Sequence, residues 1–343
     1  MPIHRTRAWR AASALALTGT LIGALAACST TAASTSGGDA AASNGTTRVT
    51  VGAFANGAAT ETTITVPAVA KIRAELPASV RKSGELVIGV GDLPAGFPPL
   101  AFTGSDQKTQ TGTEPDLGRL ISAVFGLKPV IKPATWDNLF VGIDTGATNV
   151  GLSNITDTEQ RKEKYDFASY RDDNLAFSVL KSSSWKFAGD YENLAGQTVA
   201  VGAGTNQEKL LLTWQSKLKA QGKKPLTIKY YPTDSATWLA LDSGKIDANF
   251  GPNPGAAYQN TQSAKSANPT KTVGTFSGAG ESLQGLIAAT TKKGDGLDKP
   301  LADAIDYLID NGQYTKWLKA YNLSNEAVAK SEINPPGLPL SNS

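Results

Sequence analysis

With 33 lysines and arginines against 30 acids in 343 residues, and only one histidine and one cysteine, the chain is nearly neutral and poor in metal-binding and nucleophilic side chains. His4 and three of the arginines precede Cys28 while no acid does, so removing residues 1–27 leaves 30 bases against 30 acids and no histidine. That balance leaves no electrostatic footprint for nucleic acid, and it excludes His/Cys zinc sites, Ser-His-Asp and Cys-His nucleophiles and structural disulfides; Asp, Glu, Lys, Tyr and Ser remain for chemistry, and no metal or cofactor is implied.

The first 27 residues pair a charged start (Arg5, Arg7, Arg10) with an apolar run from Ala11 to Ala27 that is broken by Ser13, Thr18, Gly19 and Thr20. The run falls short of the roughly 20 strongly apolar residues that span a bilayer and reads as an export signal over 1–27. "LAAC", Leu25 to Cys28, resembles the lipobox of bacterial lipoproteins, in which cleavage precedes the cysteine and its sulfur is acylated. That resemblance implies lipidation of Cys28 and a lipid anchor to the outer face of the cell membrane. Residues 29–47 are small and polar without apolar periodicity, so 28–80 is expected to be a flexible tether and lead-in.

From about residue 84, short β-rich runs alternate with helical patterns. "ELVIGV" (85–90), "TVAVG" (198–202), "TIKYY" (227–231) and "GLIAAT" (285–290) are the predicted strands. Leu117, Leu120, Ile121 and Val124 follow helical spacing, as do Leu301, Ala304, Ile305 and Leu308, and then Tyr314, Trp317, Leu318 and Tyr321, with Gly312 separating the last two helices. Such stripes are core packing, and the alternation predicts an α/β fold with largely parallel sheets. A weak internal repeat places Ile143-Asp144-Thr145-Gly146 beside Leu241-Asp242-Ser243-Gly244, each ending a helix and leading into a buried strand. Two related lobes are expected, and ligands of open α/β sheets bind beyond the carboxyl ends of the strands. The segments following the paired strands, Ser153-Asn154-Ile155-Thr156 and Gly251-Pro252-Asn253, are therefore candidate ligand loops.

Three constellations carry candidate chemistry. Ser153, Asn154 and Thr156 lead to Arg161, whose guanidinium suits a carboxylate, although spacing alone favours a solvated arginine in the charged run "EQRKEK". "VAVGAGTNQEKLLLTW" passes from strand through glycines into a helix starting at Thr205, Asn206 and Gln207; it is either a capped helix start or an anion site on backbone N–H groups. It lacks the third glycine of a dinucleotide fingerprint and the Gly-Lys-Ser/Thr of a phosphate loop. In "GFPPLAF", Pro98 and Pro99 stiffen a turn that presents Phe97 as an aromatic wall.

Taken in order, "GELVIGV", "FPPLAF", "GTEPDLGRLISAVFGL", "WDNLFVGIDTG", "ITDTEQRKEKYDFASY", "LAGQTVAVGAGTNQE", "DSGKIDANF" and "DNGQYTKWLKAYNL" resemble the extracytoplasmic solute-binding proteins of ABC transporters, in the family that captures polar amino acids. The resemblance covers about 84 to 323. It implies the two-lobed type II periplasmic-binding-protein fold, with lobe 1 from 81–180 plus 276–343, lobe 2 from 181–275 and a two-strand hinge. It implies a monomer that delivers an amino acid or related carboxylate to permease subunits, with Arg161 clamping the carboxylate, helped by Thr156 and the Ser153–Asn154 backbone. Thr205 and Asn206 are its implied partners from lobe 2, and Phe97 and Trp136 the implied side-chain walls. Asp116 matches an acid of the first-lobe helix and is expected to be a structural cap. Where the family commonly has an Asp for the ligand ammonium, this chain has Pro252 with Asn253 beside it, so either Asp92 or Glu281 replaces it or the ligand is not an ordinary α-amino acid. Two alternatives are a dehydratase-like enzyme on the same fold, which needs a cleft carboxyl with a perturbed pKa, and a ligand-sensing lipoprotein.

Overall fold

The computed structural model describes residues 41–42 and 45–340. The expected export signal, Cys28 and most of the tether lie outside the described residues.

In chain order the elements are β1 (Ala41–Ala42), β2 (Thr46–Val51), β3 (Thr62–Pro67), α1 (Ala70–Glu75), α2 (Ala78–Ser83), β4 (Glu85–Gly91), β5 (Phe102–Thr103), β6 (Gln110–Thr111), α3 (Thr113–Phe125), β7 (Lys128–Ala134), α4 (Trp136–Asp144) and β8 (Val150–Gly151). There follow β9 (Tyr165–Asp172), β10 (Asn174–Leu180), β11 (Thr198–Ala200), α5 (Asn206–Ala220), β12 (Thr227–Lys229), α6 (Asp234–Asp242), β13 (Ala248–Pro252), α7 (Asn253–Ser263), β14 (Thr270–Ser277), β15 (Leu286–Lys292), α8 (Asp298–Asp310) and α9 (Gln313–Ala320).

Two five-stranded sheets share one plan. The first has the order β7-β4-β8-β15-β9 and the second β12-β11-β13-β10-β14. In each, the strand earliest among its parallel members lies between two parallel neighbours (β4 between β7 and β8, β11 between β12 and β13), and the remaining two strands are antiparallel. The sheets are thus parallel over three strands only. The fourth and fifth places go to the strands that carry the chain between lobes: β9 leaves the first sheet, β10 enters the second, and β14 and β15 return.

The internal repeat marks equivalent positions in this plan. Helix α4 ends at Gly146 (φ 72°) and α6 at Gly244 (φ 69°), left-handed conformations in which a Cβ is strained. Both helices close with a hydroxyl back-bonded to the preceding turn, Thr145 to the Val141 carbonyl and Ser243 to the Leu239 carbonyl, each at 2.8 Å. Each chain then enters the third strand of its parallel trio, β8 or β13.

The expected stripes on α3, α8 and α9 are buried in one core under the first sheet. Residues 46–80 depart from the expected lead-in. β2 and β3 form a hairpin whose Val49, Val51, Ile64 and Val66 join that core, and α1 and α2 add Ile72, Leu76 and Val80. The physical reason is the alternation in "RVTV" and "TITV", which puts one apolar face on the hairpin. Asp116 ties this module down: its carboxylate accepts from the Gly52 N–H at 2.6 Å, the Tyr321 hydroxyl at 2.5 Å and Arg119 at 2.6 Å. It is structural, as expected, but by joining three segments rather than by capping α3, whose N-cap is Gly112.

The lobe boundaries also shift. The chain first crosses at Asp173, so β10 belongs to the second sheet although 174–180 had been expected in lobe 1, and it returns through 278–285. The crossings bond to each other, Asp173 N–H to the Gly285 carbonyl at 2.7 Å and Gly278 N–H to the Asp173 carbonyl at 3.0 Å. A third connection departs from the expected two-strand hinge. The tail from Ser331 runs along β9, donating to the Ser169 carbonyl at 2.7 Å, and then buries Leu338 in the core of the second lobe, where Lys209 of α5 reaches the Pro339 carbonyl at 2.8 Å. Among the described residues no helix is long and apolar enough to cross a membrane.

Candidate functional site

A cavity of about 310 Å³ lies between the two sheets, at the carboxyl ends of all three parallel strands of each. From the first lobe come Asp92 and Phe97 after β4, Trp136 after β7, and Ser153 and Asn154 after β8; from the second come Thr205, Asn206 and Gln207 after β11, Tyr231 and Asp234 after β12, and Pro252 at the end of β13. This is the crevice that open α/β sheets use for ligands, here doubled by two sheets facing each other.

Eight of the expected residues therefore meet: Asp92, Phe97, Trp136, Ser153, Asn154, Thr205, Asn206 and Gln207. Thr205 caps α5, accepting from the Glu208 N–H at 3.2 Å and donating to the Gly202 carbonyl at 2.7 Å, while Glu208 accepts from the Gly204 N–H at 2.7 Å. The first-turn N–H groups of Asn206 and Gln207 have no helical carbonyl to meet. Ser153 accepts from the Gly91 N–H at 2.8 Å, fixing the loop after β8 to the end of β4. Asn154 is left-handed at φ 50° and turns its side-chain oxygen toward Arg171.

Four expected residues do not line this cavity. Glu281 is exposed on the return crossing. Asn253, the first residue of α7, donates its amide to Glu326 at 3.0 Å and so joins the lobes rather than reaching for a ligand. Thr156 is buried at the hinge, where its hydroxyl donates to Asp173 at 2.7 Å. Arg161 lies in an adjoining cavity that shares Trp136, Thr205 and Asn206 with the first. Its guanidinium donates to the Thr156 carbonyl at 2.8 Å, and its Cζ stands 5.4 Å from the ring centres of both Trp136 and Phe140. Burial lowers its pKa to about 10, opposed by Asp173 and Asp157, so it stays charged at neutral pH. Asp157 and Thr158, earlier in the same loop, are buried in its wall, and Arg161 stands behind Trp136 in the adjoining cavity.

The electrostatics of the cleft include groups the sequence did not single out. Arg171 is fully buried and paired with Glu114 and Glu326; burial works against its charge, but the two carboxylates outweigh that and hold its pKa above the ordinary value. Asp234 stands at the start of α6, accepting from Trp238 Nε1 at 2.9 Å, with its pKa raised by burial. "PTDS" offered an N-cap and first-turn acid, which is the ordinary content of any helix start. Asp92 is 4 % exposed, its Oδ1 has no hydrogen-bond partner, and burial lifts its pKa to about 6, against a smaller lowering by its own backbone N–H.

The profile of the bacterial extracellular solute-binding proteins, family 3, matches residues 88–324. The chain belongs to this family. The matched span contains both sheets from within β4 onward and every residue of the cavity, so the hairpin of β2 and β3 precedes the family portion. Among relatives, the L-cystine-binding protein TcyJ of Escherichia coli (strain K12) is 28% identical over 169 residues, 49% of this chain and 59% of that protein. The arginine-binding protein ArgT of Corynebacterium glutamicum is 27% identical over 267 residues, 78% of this chain and 83% of that one. Among solved structures, an ancestral arginine-binding protein bound to arginine superposes with a TM-score of 0.59 at 25% identity, covering 69% of this chain and 98% of that one. The family member described here thus has the two-lobed fold of amino-acid-binding proteins.

Proposed function

We propose that this protein is the exported, lipid-anchored receptor of an ABC importer and captures an amino acid between its lobes as a monomer. The observation that carries the reading is the cavity itself: six strand ends from two sheets converge on a space the size of a small solute, lined by unpaired polar atoms, in a chain of the solute-binding family. The α-carboxylate is taken at the first turn of α5, where the Asn206 and Gln207 N–H groups and the helix dipole favour an anion. Arg161 supplies positive charge to the same wall from behind Trp136.

The test is a thermal-shift panel of amino acids on the purified full-length protein, followed by calorimetry on any hit. Arg161→Ala is expected to weaken that hit about three-fold, less than the roughly 1.5–3 kcal/mol of a direct charge-assisted bond because the guanidinium stands behind Trp136; unchanged affinity removes Arg161 from the carboxylate site. Asp92, a buried cleft carboxyl with a raised pKa, also favours a second reading, a dehydratase-like enzyme. Mass spectrometry of the bound ligand after hours of incubation separates the two, because a receptor returns it unchanged. Anchoring at Cys28 predicts that Cys28→Ser moves the protein from the membrane fraction to the soluble fraction.

A further inference from the structure

Behind the cavity a chain of bonded polar side chains passes from one lobe to the other. Arg171, on β9 and buried, donates to the side-chain oxygen of Asn154, which lines the cavity in the first lobe, and pairs with Glu326. The other carboxylate oxygen of Glu326 accepts from the Asn253 amide at 3.0 Å, and Asn253 opens α7 of the second lobe directly after the cavity-lining Pro252. Glu326 is 0 % exposed, so parting the lobes strips a buried carboxylate oxygen of its donor. A second grip, of different chemistry, lies further along the same segment. There the tail pairs with β9, Ser169 N–H donating to the Glu332 carbonyl and Asn334 N–H to the Phe167 carbonyl, each at 3.0 Å. Leu338, 1 % exposed, is then packed in the core of the second lobe, while its carbonyl accepts from the Glu159 N–H of the first lobe at 3.1 Å. Pro335 and Pro336 stand between these anchors with φ fixed and leave little slack. A rotation that parts the lobes therefore has to break one anchor or the other. Both grips come from residues beyond 324, where the match to the family profile ends.

We propose that the segment after residue 324 is a clasp between the lobes, with Glu326 a positioning residue that acts through Asn154 and Asn253 rather than by touching the ligand. The closed arrangement is held by the protein's own contacts as well as by the ligand, and release requires the clasp to give. Loss of the clasp therefore speeds release and does not slow association. The effect on release rests on the amino-acid-receptor reading; the hold on the lobes does not.

The experiment places spin labels on the full-length Cys28→Ser chain through Val141→Cys on α4 and Leu239→Cys on α6, exposed positions on opposite lobes, and measures their separation by double electron–electron resonance without ligand. The labelled parent is compared with Glu326→Gln, Asn253→Ala and Leu338→Ala. The expected result is one short separation in the parent and an added longer population in each variant. Asn253→Ala removes the second lobe's partner and leaves the buried Arg171–Glu326 pair intact, so it decides the matter even where Glu326→Gln fails to fold. Unchanged separations in Asn253→Ala and Leu338→Ala overturn the clasp, whatever happens to their melting temperatures, and reduce these contacts to packing. Stopped-flow kinetics with whichever of L-arginine, L-glutamine and L-cystine binds the parent then reads the consequence. Release from Asn253→Ala is expected to be about five-fold faster, the loss of one bond to a charged group, with association no slower. Slower association with unchanged release overturns the link between clasp and capture. Failure of all three amino acids to bind counts against the receptor reading, while the label separations still decide the clasp.

Discussion

Asp173 occupies a position where both lobes and both crossings meet. Its carboxylate accepts from the Thr156 hydroxyl of the first lobe at 2.7 Å and from the Asn206 amide of the second at 3.2 Å, and the Asn206 amide also reaches the Gly278 carbonyl at 3.0 Å. No side chain fits at Gly278, since a Cβ there falls inside the Asp173 carboxylate. Burial raises the Asp173 pKa to about 6 against its hydrogen bonds and Arg171. The folded carboxyl therefore keeps its proton to about pH 6 while the unfolded one loses it near 3.8. Between these values the folded state binds more protons, so stability is present below the lower value and is lost as pH rises through the upper one, by about 3 kcal/mol from this group. Urea titrations of ligand-free protein between pH 4 and 7 are expected to show Asp173→Asn with a flatter stability profile than the parent. Parallel profiles would remove Asp173 as the source.

At the scale of elements, the contact between the loop after β4 and helix α7 is the most revealing. Gly255 sits in the first turn of α7, and a Cβ there meets the Phe97 ring at 2.6 and 2.7 Å. Phe97 belongs to the first lobe and α7 to the second, so this contact exists only while the lobes are together. Trp136 Nε1 donates to the Gly204 carbonyl at 3.3 Å across the same cleft. Alanine in a helix is favoured over glycine by about 0.5–1 kcal/mol, whereas forcing a methyl into a filled contact costs about 1–3 kcal/mol. Gly255→Ala is therefore expected to raise the ligand-free melting temperature slightly and to weaken ligand binding roughly ten-fold. A melting gain with no loss of affinity would show that Phe97 turns aside at no cost. Local pattern announced many of these elements: the i, i+4 stripes of α3, α8 and α9, the β-rich runs of β4, β11, β12 and β15, and the Gly stops after α4 and α6. The β2–β3 hairpin was equally visible in "RVTV" and "TITV" but follows a run of small polar residues that reads as tether. β9 and β10 were harder, because the chain passes from one to the other at Asp172-Asp173-Asn174 with neither Gly nor Pro between them.

At the scale of the whole molecule, two sheets of one plan are joined by two bonded crossings and overlaid by a tail that touches both cores. Gly337 packs against the Asp157 backbone so closely that a Cβ there would meet it at 2.4 Å, its N–H reaches Glu159 at 3.0 Å, and Lys162 donates to the Pro335 carbonyl. The tail thus covers the loop that carries Arg161. By itself the sequence determined the α/β class, the order of family motifs, the pairing of the two lobes and the absence of histidine and thiol chemistry beyond Cys28, because these depend on residue type and on spacing along the chain. Only the tertiary structure decided which charges line the cavity between the sheets. Arg161, Thr156, Asn253 and Asp234 all look alike as polar residues beyond strand or helix ends, but sheet order, not chain order, sets which ends converge. The place of β12 beside β11 brings Asp234 to the cavity, the bond to the Thr156 carbonyl holds Arg161 behind Trp136, and the buried Glu326 draws Asn253 away.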